Sequence, residues 1–420
     1  MGPITLFDKS FLQSLSLDES VFFDRFFSSV ICPIFYVETL ADLEKVVRPG
    51  RTPEEEVRII ADKVPELGSY PCAYHVALGA GNLMGGNVPM DGRVMLPQHG
   101  RPVMVDGKVG FVHDEAPEAD AFRRWQNREF LNVEREFARG WRTALNNVDL
   151  AGLAERIQAM GISAKTCRSL TDAHRIVNTV MSQDGTSSVD QINMALHIFQ
   201  VPPSFDLAVF GRWARRGRQS LKHFAPYAAH VVAVETFFQL ALGAGLLGTS
   251  DTHNRTDIGY LYYAPLCHVF VSSDRLHTRC AGYFLRKNQS FVWGPALKTD
   301  LNRLMTHFSR RSEEEKEQGL YRLAPTPPTD DKGLTAQLWD RHLIKSWRTD
   351  IPAAVKRENP EEDKKIVEHI NRIADAPALS HGEVNFEPEQ ADFMQLTRRV
   401  SKRKGSWWQL PKDIENREPS

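Results

Sequence analysis

Two short apolar runs, each followed closely by an acid, give the clearest strand predictions in the chain. Residues 4–7 (ITLF) run directly into Asp8, and residues 268–272 (HVFVS) end two positions before Asp274. Both runs are short and rich in β-branched or aromatic residues, which favours buried strands over helices. If the two strands are parallel neighbours, Asp8 and Asp274 emerge side by side at the carboxyl edge of a sheet, where ligands usually bind.

Two predicted helices add further acids to this edge. From about Pro33 to Val47, apolar residues recur at helical spacing, and Glu38 and Asp42 lie four apart on one face. A polar segment opens the helix before the second strand and contains Asp257, with Asp251 in the preceding loop as its alternative. A right-handed crossover would bring these acids to the edge at which the strands end. The carboxylates predicted to converge are Asp8, Glu38, Asp257 and Asp274.

Converging carboxylates indicate a divalent cation. They repel one another and stay ionised only at a cost to the fold, and Mg²⁺ or Mn²⁺ relieves this because hard cations prefer oxygen ligands. Such a cation also activates water for attack on a phosphodiester and stabilises the charge that develops. Asp8 and Asp274 are the expected direct ligands. Glu38 and Asp257 are expected to hold a second cation or to orient water.

This set of residues resembles the PIN domain of metal-dependent nucleases. The shared pattern is a strand-end acid with a small polar residue two positions on, a helical glutamate, a later aspartate and a final [ST]-x-Asp, here Asp8, Ser10, Glu38, Asp257, Ser272 and Asp274. The resemblance covers about residues 1–65 and 225–308. Glu38 fits the family spacing better than Asp42, which remains the alternative. Ser10 and Ser272 are expected to hydrogen-bond the carboxylates or the scissile phosphate.

The resemblance implies an α/β fold, with a Rossmann-like central parallel sheet flanked by helices. It also implies a metal-dependent nuclease, with single-stranded RNA favoured as the substrate and DNA the lesser option. One alternative is a catalytically inactive PIN-like protein that binds nucleic acid or regulates. Another is a Mg²⁺-dependent phosphatase, but the type with Asp-x-Asp at a strand tip does not fit Asp8-Lys9-Ser10.

The long segment between the two matched parts departs from the family and is interpreted as a mainly helical insertion. It carries a small β-hairpin, because Asp106-Gly107 lies between two β-type runs. Residues 116–144 are predicted as one long helix. A polar, proline-rich linker follows residue 310. The predicted organisation is residues 1–70 (first half of the PIN-like domain), 71–224 (insertion), 225–308 (second half) and 309–420 (charged C-terminal extension).

Charge and composition restrict the nucleic-acid contacts to local patches. The net charge is −1, so no overall basic field exists. The arginine-rich segment 116–144 also contains glutamates, which favours a salt-bridged surface helix. Residues 212–218 (RWARRGR) contain no acid. Two interpretations are equally favoured for them, a phosphate-binding site and a solvated helix end. The candidate substrate-binding arginines there are Arg212, Arg215, Arg216 and Arg218.

Cysteine use favours a reducing cytoplasm. The five cysteines are scattered and lack CxxC spacing, which favours free, buried thiols. The chain begins with a predicted core strand, so no signal peptide is expected. The most apolar segment, residues 228–247, contains Glu235 and is interpreted as a buried helix rather than a membrane span. The basic and aromatic tail from Arg398 is a candidate contact for nucleic acid or a protein partner, and a homo-oligomer is also open.

Overall fold

The computed structural model describes residues 2–97, 100–182, 185–349, 360–386 and 390–414. Its strands, in chain order, are β1 (Ile4–Phe7), β2 (Ser28–Ile31), β3 (Ser69–Pro71), β4 (Arg101–Val105), β5 (Lys108–His113), β6 (Val269–Ser272), β7 (Ser290–Trp293), β8 (Phe393–Leu396), β9 (Arg403–Lys404) and β10 (Trp407–Trp408).

The α-helices are Lys9–Ser14, Leu17–Phe26, Pro33–Leu40, Pro53–Ala61, His75–Met84, Pro117–Gln126, Asn132–Asn146, Leu150–Ala159, Leu170–Val180, Ser188–Ile198, Asp206–Arg215, Leu221–Phe224, Pro226–Gly243, His253–Tyr260, Arg275–Phe284, Gly294–Ser309, Glu313–Glu317, Leu320–Leu323, Leu334–His342 and Pro360–Asp375. Short 3₁₀ helices cover Ala41–Glu44, Pro203–Phe205, Leu261–Leu266 and Lys345–Arg348.

A five-stranded parallel sheet forms the centre of the α/β fold, in the order β3-β2-β1-β6-β7. Helices flank this sheet, so the predicted Rossmann-like architecture is confirmed. The predicted pairing of the two acid-tipped strands is also confirmed, because Thr5 of β1 lies opposite Val269 of β6 in a parallel register. β1 and β6 are central in the order, so the acids that follow them lie near the middle of the carboxyl edge.

An aromatic cluster fixes the helices around Asp8. The ring of Phe7 at the end of β1 lies edge-on to Phe23 and Phe35, with centroids 5.6 and 5.0 Å away, and Phe11 contacts Phe23 at 5.1 Å. All four rings are fully buried. Each such pair contributes about 0.5–1.5 kcal/mol beyond its buried area. This packing holds the first three helices against β1 and so sets where Asp8 and the helix carrying Glu38 lie.

The insertion contains the predicted hairpin, formed by the antiparallel strands β4 and β5. Its turn residues Asp106 and Gly107 have φ angles of 52° and 76°, the left-handed conformations that a tight two-residue hairpin requires. The single helix predicted over residues 116–144 is wrong. The segment forms two helices, Pro117–Gln126 and Asn132–Asn146, because the chain turns through Arg128 at φ 62°.

The C-terminal extension packs on the sheet unit. The Trp339 indole donates to the Phe26 carbonyl at 2.9 Å, and the ring of Trp407 lies edge-on to Phe22 at 4.9 Å. The buried Lys404 ammonium donates to the Val64 carbonyl at 2.7 Å. One hydrophobic cluster contains residues from both sheet halves, the insertion and this extension.

The apolar helix Pro226–Gly243 is part of that core. Its Glu235 is buried and pairs with Arg255 at 2.7 Å, as expected of a packed helix with an internal ion pair. No helix in the described ranges combines the length and apolar character needed to cross a membrane. The five cysteines are buried free thiols, as predicted.

Candidate active site

Asp8 and Asp274 each join a central strand to a helix. Asp8 is the N-cap of helix Lys9–Ser14, and its Oδ1 accepts a hydrogen bond from the Phe11 amide at 2.8 Å. Asp274 caps helix Arg275–Phe284 in the same way, through the Leu276 amide at 2.6 Å. A cap of this kind stabilises a protein by about 1 kcal/mol. Each contact uses one acceptor site of the carboxylate and leaves others for further partners.

The Asp8 carboxylate is held by two hydroxyl groups. Its Oδ2 accepts from Ser10 Oγ and from Ser272 Oγ, both at 2.6 Å, and Asp8 is only 3% exposed. The two serines therefore hydrogen-bond a carboxylate, which is the first of the two roles expected for them. Ser272 Oγ also accepts from the Asp274 amide at 2.9 Å, so this hydroxyl links the ends of β1 and β6.

His277 completes this network, and sequence reasoning gave it no role. The side chain is fully buried, with Nδ1 2.7 Å from Ser272 Oγ and 3.5 Å from Asp8 Oδ2. Its Nε2 lies 2.7 Å from the backbone carbonyl of Asp257, which can only accept. The Ser272 hydrogen is directed at Asp8, so Nδ1 must donate as well. Both ring nitrogens then carry hydrogen, and His277 is an imidazolium paired with an ionised Asp8.

The pKa values agree with this pairing. Burial favours neutral His277, but the hydrogen bond and charge of Asp8, together with Asp257, raise the His277 pKa to about 9. Burial alone would raise the pKa of Asp8, but the His277 cation and the Ser10 and Ser272 hydroxyls bring it below its ordinary value. The pair is therefore charged at neutral pH.

A pH dependence of stability follows from His277. Its folded pKa of about 9 exceeds the ordinary 6.5, so its stabilising contribution is complete below pH 6.5 and disappears as the pH rises through 9. In urea unfolding, the wild type should exceed His277→Gln by an amount on the order of 3 kcal/mol at pH 6. The difference should shrink towards zero by pH 10. A difference that is constant across this range would contradict the charged pair.

Glu38 and Asp42 lie on the same side of the sheet but have different partners. The Tyr260 hydroxyl donates to Glu38 Oε2 at 2.5 Å. Asp42 is 4% exposed and pairs with the Lys9 ammonium at 2.6 Å, and Lys9 also donates to the Glu38 carbonyl. Because Asp42 already has a cation as its partner, the structure favours Glu38 over Asp42 as the acid that faces the site.

Asp257 lies inside helix His253–Tyr260, not at its start as expected. Burial, together with the carboxylates of Glu38, Asp274 and Asp8, raises its pKa to about 8 against the opposing charge of His277. Asp251, its alternative, is exposed, and its Oδ1 accepts from the His253 amide at 3.0 Å. Asp251 therefore lies just before the N-cap, Thr252, and accepts from the first amide of the helix, whereas Asp257 belongs to the acidic group.

The fold holds several carboxyl groups close together although their negative charges repel one another. Burial raises the pKa of Glu38, and the charges of Asp8 and Asp42 raise it too. The Lys9 ammonium and the Tyr260 hydroxyl oppose this rise. The structure thus brings Asp8, Glu38 and Asp274 within electrostatic reach of Asp257, and Asp8 within reach of Glu38. We call Asp8, Glu38, Asp257 and Asp274 the acidic edge.

The acidic edge has the donor chemistry of a hard-cation site. As the side chains lie, no three His, Cys, Asp or Glu residues among those described form a ready-made metal-binding group. Asp8, one of the two expected direct ligands, accepts three hydrogen bonds, which occupy most of its acceptor capacity. Glu38, Asp257 and Asp274 retain more, and oxygen donors with raised pKa values suit Mg²⁺ or Mn²⁺. Holding a cation between these three residues would require their side chains to move from the positions described.

The predicted basic cluster divides into two kinds of arginine. Arg212 donates to the Leu83 carbonyl at 2.9 Å, and its guanidinium lies 4.3 Å over the Phe224 ring. Arg212 therefore has a packing role. Arg215, Arg216 and Arg218 are exposed at and beyond the end of helix Asp206–Arg215, and they remain candidate phosphate contacts.

The chain matches no protein-family model, no curated protein and no solved structure in the comparisons with known proteins. A function therefore has to be proposed from the acidic edge and the sheet that carries it.

Proposed function

We propose that this protein is a PIN-like, Mg²⁺- or Mn²⁺-dependent nuclease that hydrolyses phosphodiester bonds in single-stranded RNA, with DNA as the lesser option. The observation that carries this proposal is the position of Asp8 and Asp274 just after two paired central strands, at the carboxyl edge of a parallel sheet. The raised pKa of Asp257, about 8, supports it. An acid whose pKa is raised by burial and by neighbouring carboxylates, at the edge where α/β proteins bind ligands, supports a cation site with catalytic use.

The residues of the acidic edge have separate tasks in this proposal. When bound, the divalent cation would activate water and neutralise charge on the phosphate. Glu38, Asp257 and Asp274 supply its oxygen ligands. The Asp8–Ser272–His277 network positions the ligands, since Ser272 Oγ holds the Asp274 amide and His277 holds the Asp257 carbonyl. The Asp8–Ser272–His277 network therefore positions the ligand residues without contacting the cation itself.

Cleavage of labelled single-stranded RNA and DNA of one sequence tests this function. With Mn²⁺ or Mg²⁺ present, RNA should be cut faster than DNA, and EDTA should abolish the reaction. No cleavage of either strand by folded protein would reject the nuclease.

An inactive nucleic-acid-binding or regulatory protein is the second candidate. The observation that favours it is that Asp8 and Asp274 both cap helices, so both have structural uses. In that case RNA would bind and remain intact in the same assay.

The exposed arginines are expected to contribute to RNA binding and not to the chemical step. Replacing Arg215, Arg216 and Arg218 together by alanine should raise KM and reduce the salt slope of RNA binding by about 2, since each phosphate contact contributes about 0.7 for a single strand. The value of kcat should stay near that of the wild type. Arg175→Ala is the matched control, because Arg175 is also exposed and pairs locally with Asp172. Equal salt slopes for the two variants would reject this binding surface.

A further inference from the structure

A cavity lies at the carboxyl edge of the sheet, at the ends of β2 and β3. Its volume is about 220 Å³, and Ile31 and Pro71, the last residues of the two strands, line it. The carboxyl ends of strands are where α/β proteins bind ligands. The volume is below the usual range for drug-sized ligands, which limits an occupant to a small one- or two-ring molecule.

The wall of this cavity is largely apolar and partly aromatic. Cys32 and Pro33 lie at one side, and Tyr36 and Phe122 lie edge-on to each other with their ring centroids 5.7 Å apart. Residues 396–401 of the C-terminal extension close the opposite side. The sheet, the helix Pro117–Gln126 and the extension therefore each contribute to one enclosure.

The arginines that line the cavity already have partners. Arg123 donates to Glu115 Oε2 at 2.8 Å, and the Arg399 backbone amide donates to Glu115 Oε1 at 3.1 Å. Arg398 donates to the Leu67 carbonyl and lies over the Tyr70 ring at 5.5 Å. These contacts neutralise the charge of Glu115 and occupy the arginine side chains. The rim therefore has few free donors for an anionic ligand.

Glu118 is the exception among the charged residues of the wall. It is half-buried, and its Oε2 is shielded from solvent with no hydrogen-bond partner among the described residues. Glu118 lies in the first turn of its helix, where an acid is common, but such acids are ordinarily solvated. Burial and the charges of Glu134 and Glu118 raise the pKa of Tyr36, so the Glu118 carboxylate lies within electrostatic reach of the Tyr36 ring. A shielded, unpartnered carboxylate oxygen calls for a donor.

We propose that this cavity binds a small organic cation, with a flat aromatic body against Tyr36 and Phe122 and a protonated amine or amidine paired with Glu118. Aromatic faces attract such a cation, and a partly desolvated carboxylate gains most from a charged donor. None of the four residues of the acidic edge lines this cavity, and the inference does not depend on nuclease activity.

Benzamidine is the probe that tests the site, with benzoate as its anionic counterpart of the same shape. Saturation-transfer NMR and calorimetry on the full chain should show that benzamidine binds and benzoate does not. Glu118→Gln should weaken benzamidine binding by about tenfold or more, because the acceptor of the hydrogen bond loses its negative charge. Glu317→Gln, an exposed acid paired with Lys412, should leave it unchanged.

A cavity-filling variant gives a second, independent check. Ala119 is half-buried and lines the cavity, so Ala119→Phe should abolish benzamidine binding while RNA cleavage is kept. The proposal is overturned if benzoate binds as well as benzamidine, if Glu118→Gln and Glu317→Gln bind equally, or if millimolar benzamidine does not bind the wild type.

Discussion

Asp274→Asn is expected to lower the rate of RNA cleavage at saturating Mn²⁺ by about 10²–10³-fold, the usual effect of removing one group that stabilises the transition state. Asparagine caps a helix as well as aspartate does, so the contact with the Leu276 amide is retained. The substitution removes the charge at the end of β6 and leaves the fold in place. The melting temperature should therefore stay within a few degrees of the wild type.

The control for this variant is the same substitution at another helix cap. Asp149 caps helix Leu150–Ala159 through the Gly152 amide at 2.7 Å and is exposed. Asp149→Asn should cleave RNA at the wild-type rate. If Asp274→Asn and Asp149→Asn were equally active, Asp274 would be a structural cap without a part in the chemistry.

Asp8→Ala is expected to lower the free energy of unfolding by about 3–5 kcal/mol, as is typical when one member of a buried ion pair is removed. The variant loses the cap of helix Lys9–Ser14 and the acceptor of two hydroxyl groups. It also removes the counter-charge that keeps the buried His277 ring protonated. The last of these losses is the largest, because His277 is fully inside the protein.

Urea unfolding at pH 7 measures this effect, and a double variant separates its parts. His277→Phe removes the buried cation and keeps a ring between Tyr260 and Phe270, which now pack on the imidazole. Asp8→Ala combined with His277→Phe should then be less destabilised than the sum of the two single variants, by about 1–3 kcal/mol. Strict additivity, or a single Asp8→Ala cost below about 1 kcal/mol, would argue against the ion pair.

The strands of the site could be predicted because their signals are local. β1 begins and ends where its apolar run does, and β6 differs from its prediction by one residue. The turn at Asp106-Gly107 was equally local, since the backbone conformation it needs is set by two residues. The pairing of β1 with β6 followed from placing two buried, acid-tipped runs in one parallel sheet.

The position of Asp257 could not be predicted because long-range contacts extend its helix. The polar segment that contains it predicts a helix start, but Arg255 of this segment pairs with Glu235 at 2.7 Å and donates to the Tyr262 hydroxyl at 2.8 Å. These contacts tie the segment into the core, so the helix begins earlier, at His253. The polar residues of this segment do not by themselves indicate that Arg255 has a distant ion-pair partner.

His277 was missed for a related reason. One turn beyond Asp274, it has the sequence context of an ordinary residue in the first turn of a helix. Its importance comes from Asp8 and Asp257, which lie far from it in the sequence. The available signal was weak: a histidine on the face of an acid-capped helix that follows a buried strand.

Binding of Mn²⁺, followed by the electron paramagnetic resonance signal of the free ion, tests the acidic edge most directly. The wild type and the variant Glu38→Gln/Asp257→Asn are compared at pH 6.5 and 8.5, with Mg²⁺ as competitor. We predict that the wild type binds Mn²⁺ more tightly at the higher pH, because the Asp257 pKa of about 8 means that a proton leaves when the cation binds. The variant should bind weakly at both values. A wild type that binds no Mn²⁺, or binds it no better than the variant, would contradict a metal site at the acidic edge and the nuclease that depends on it.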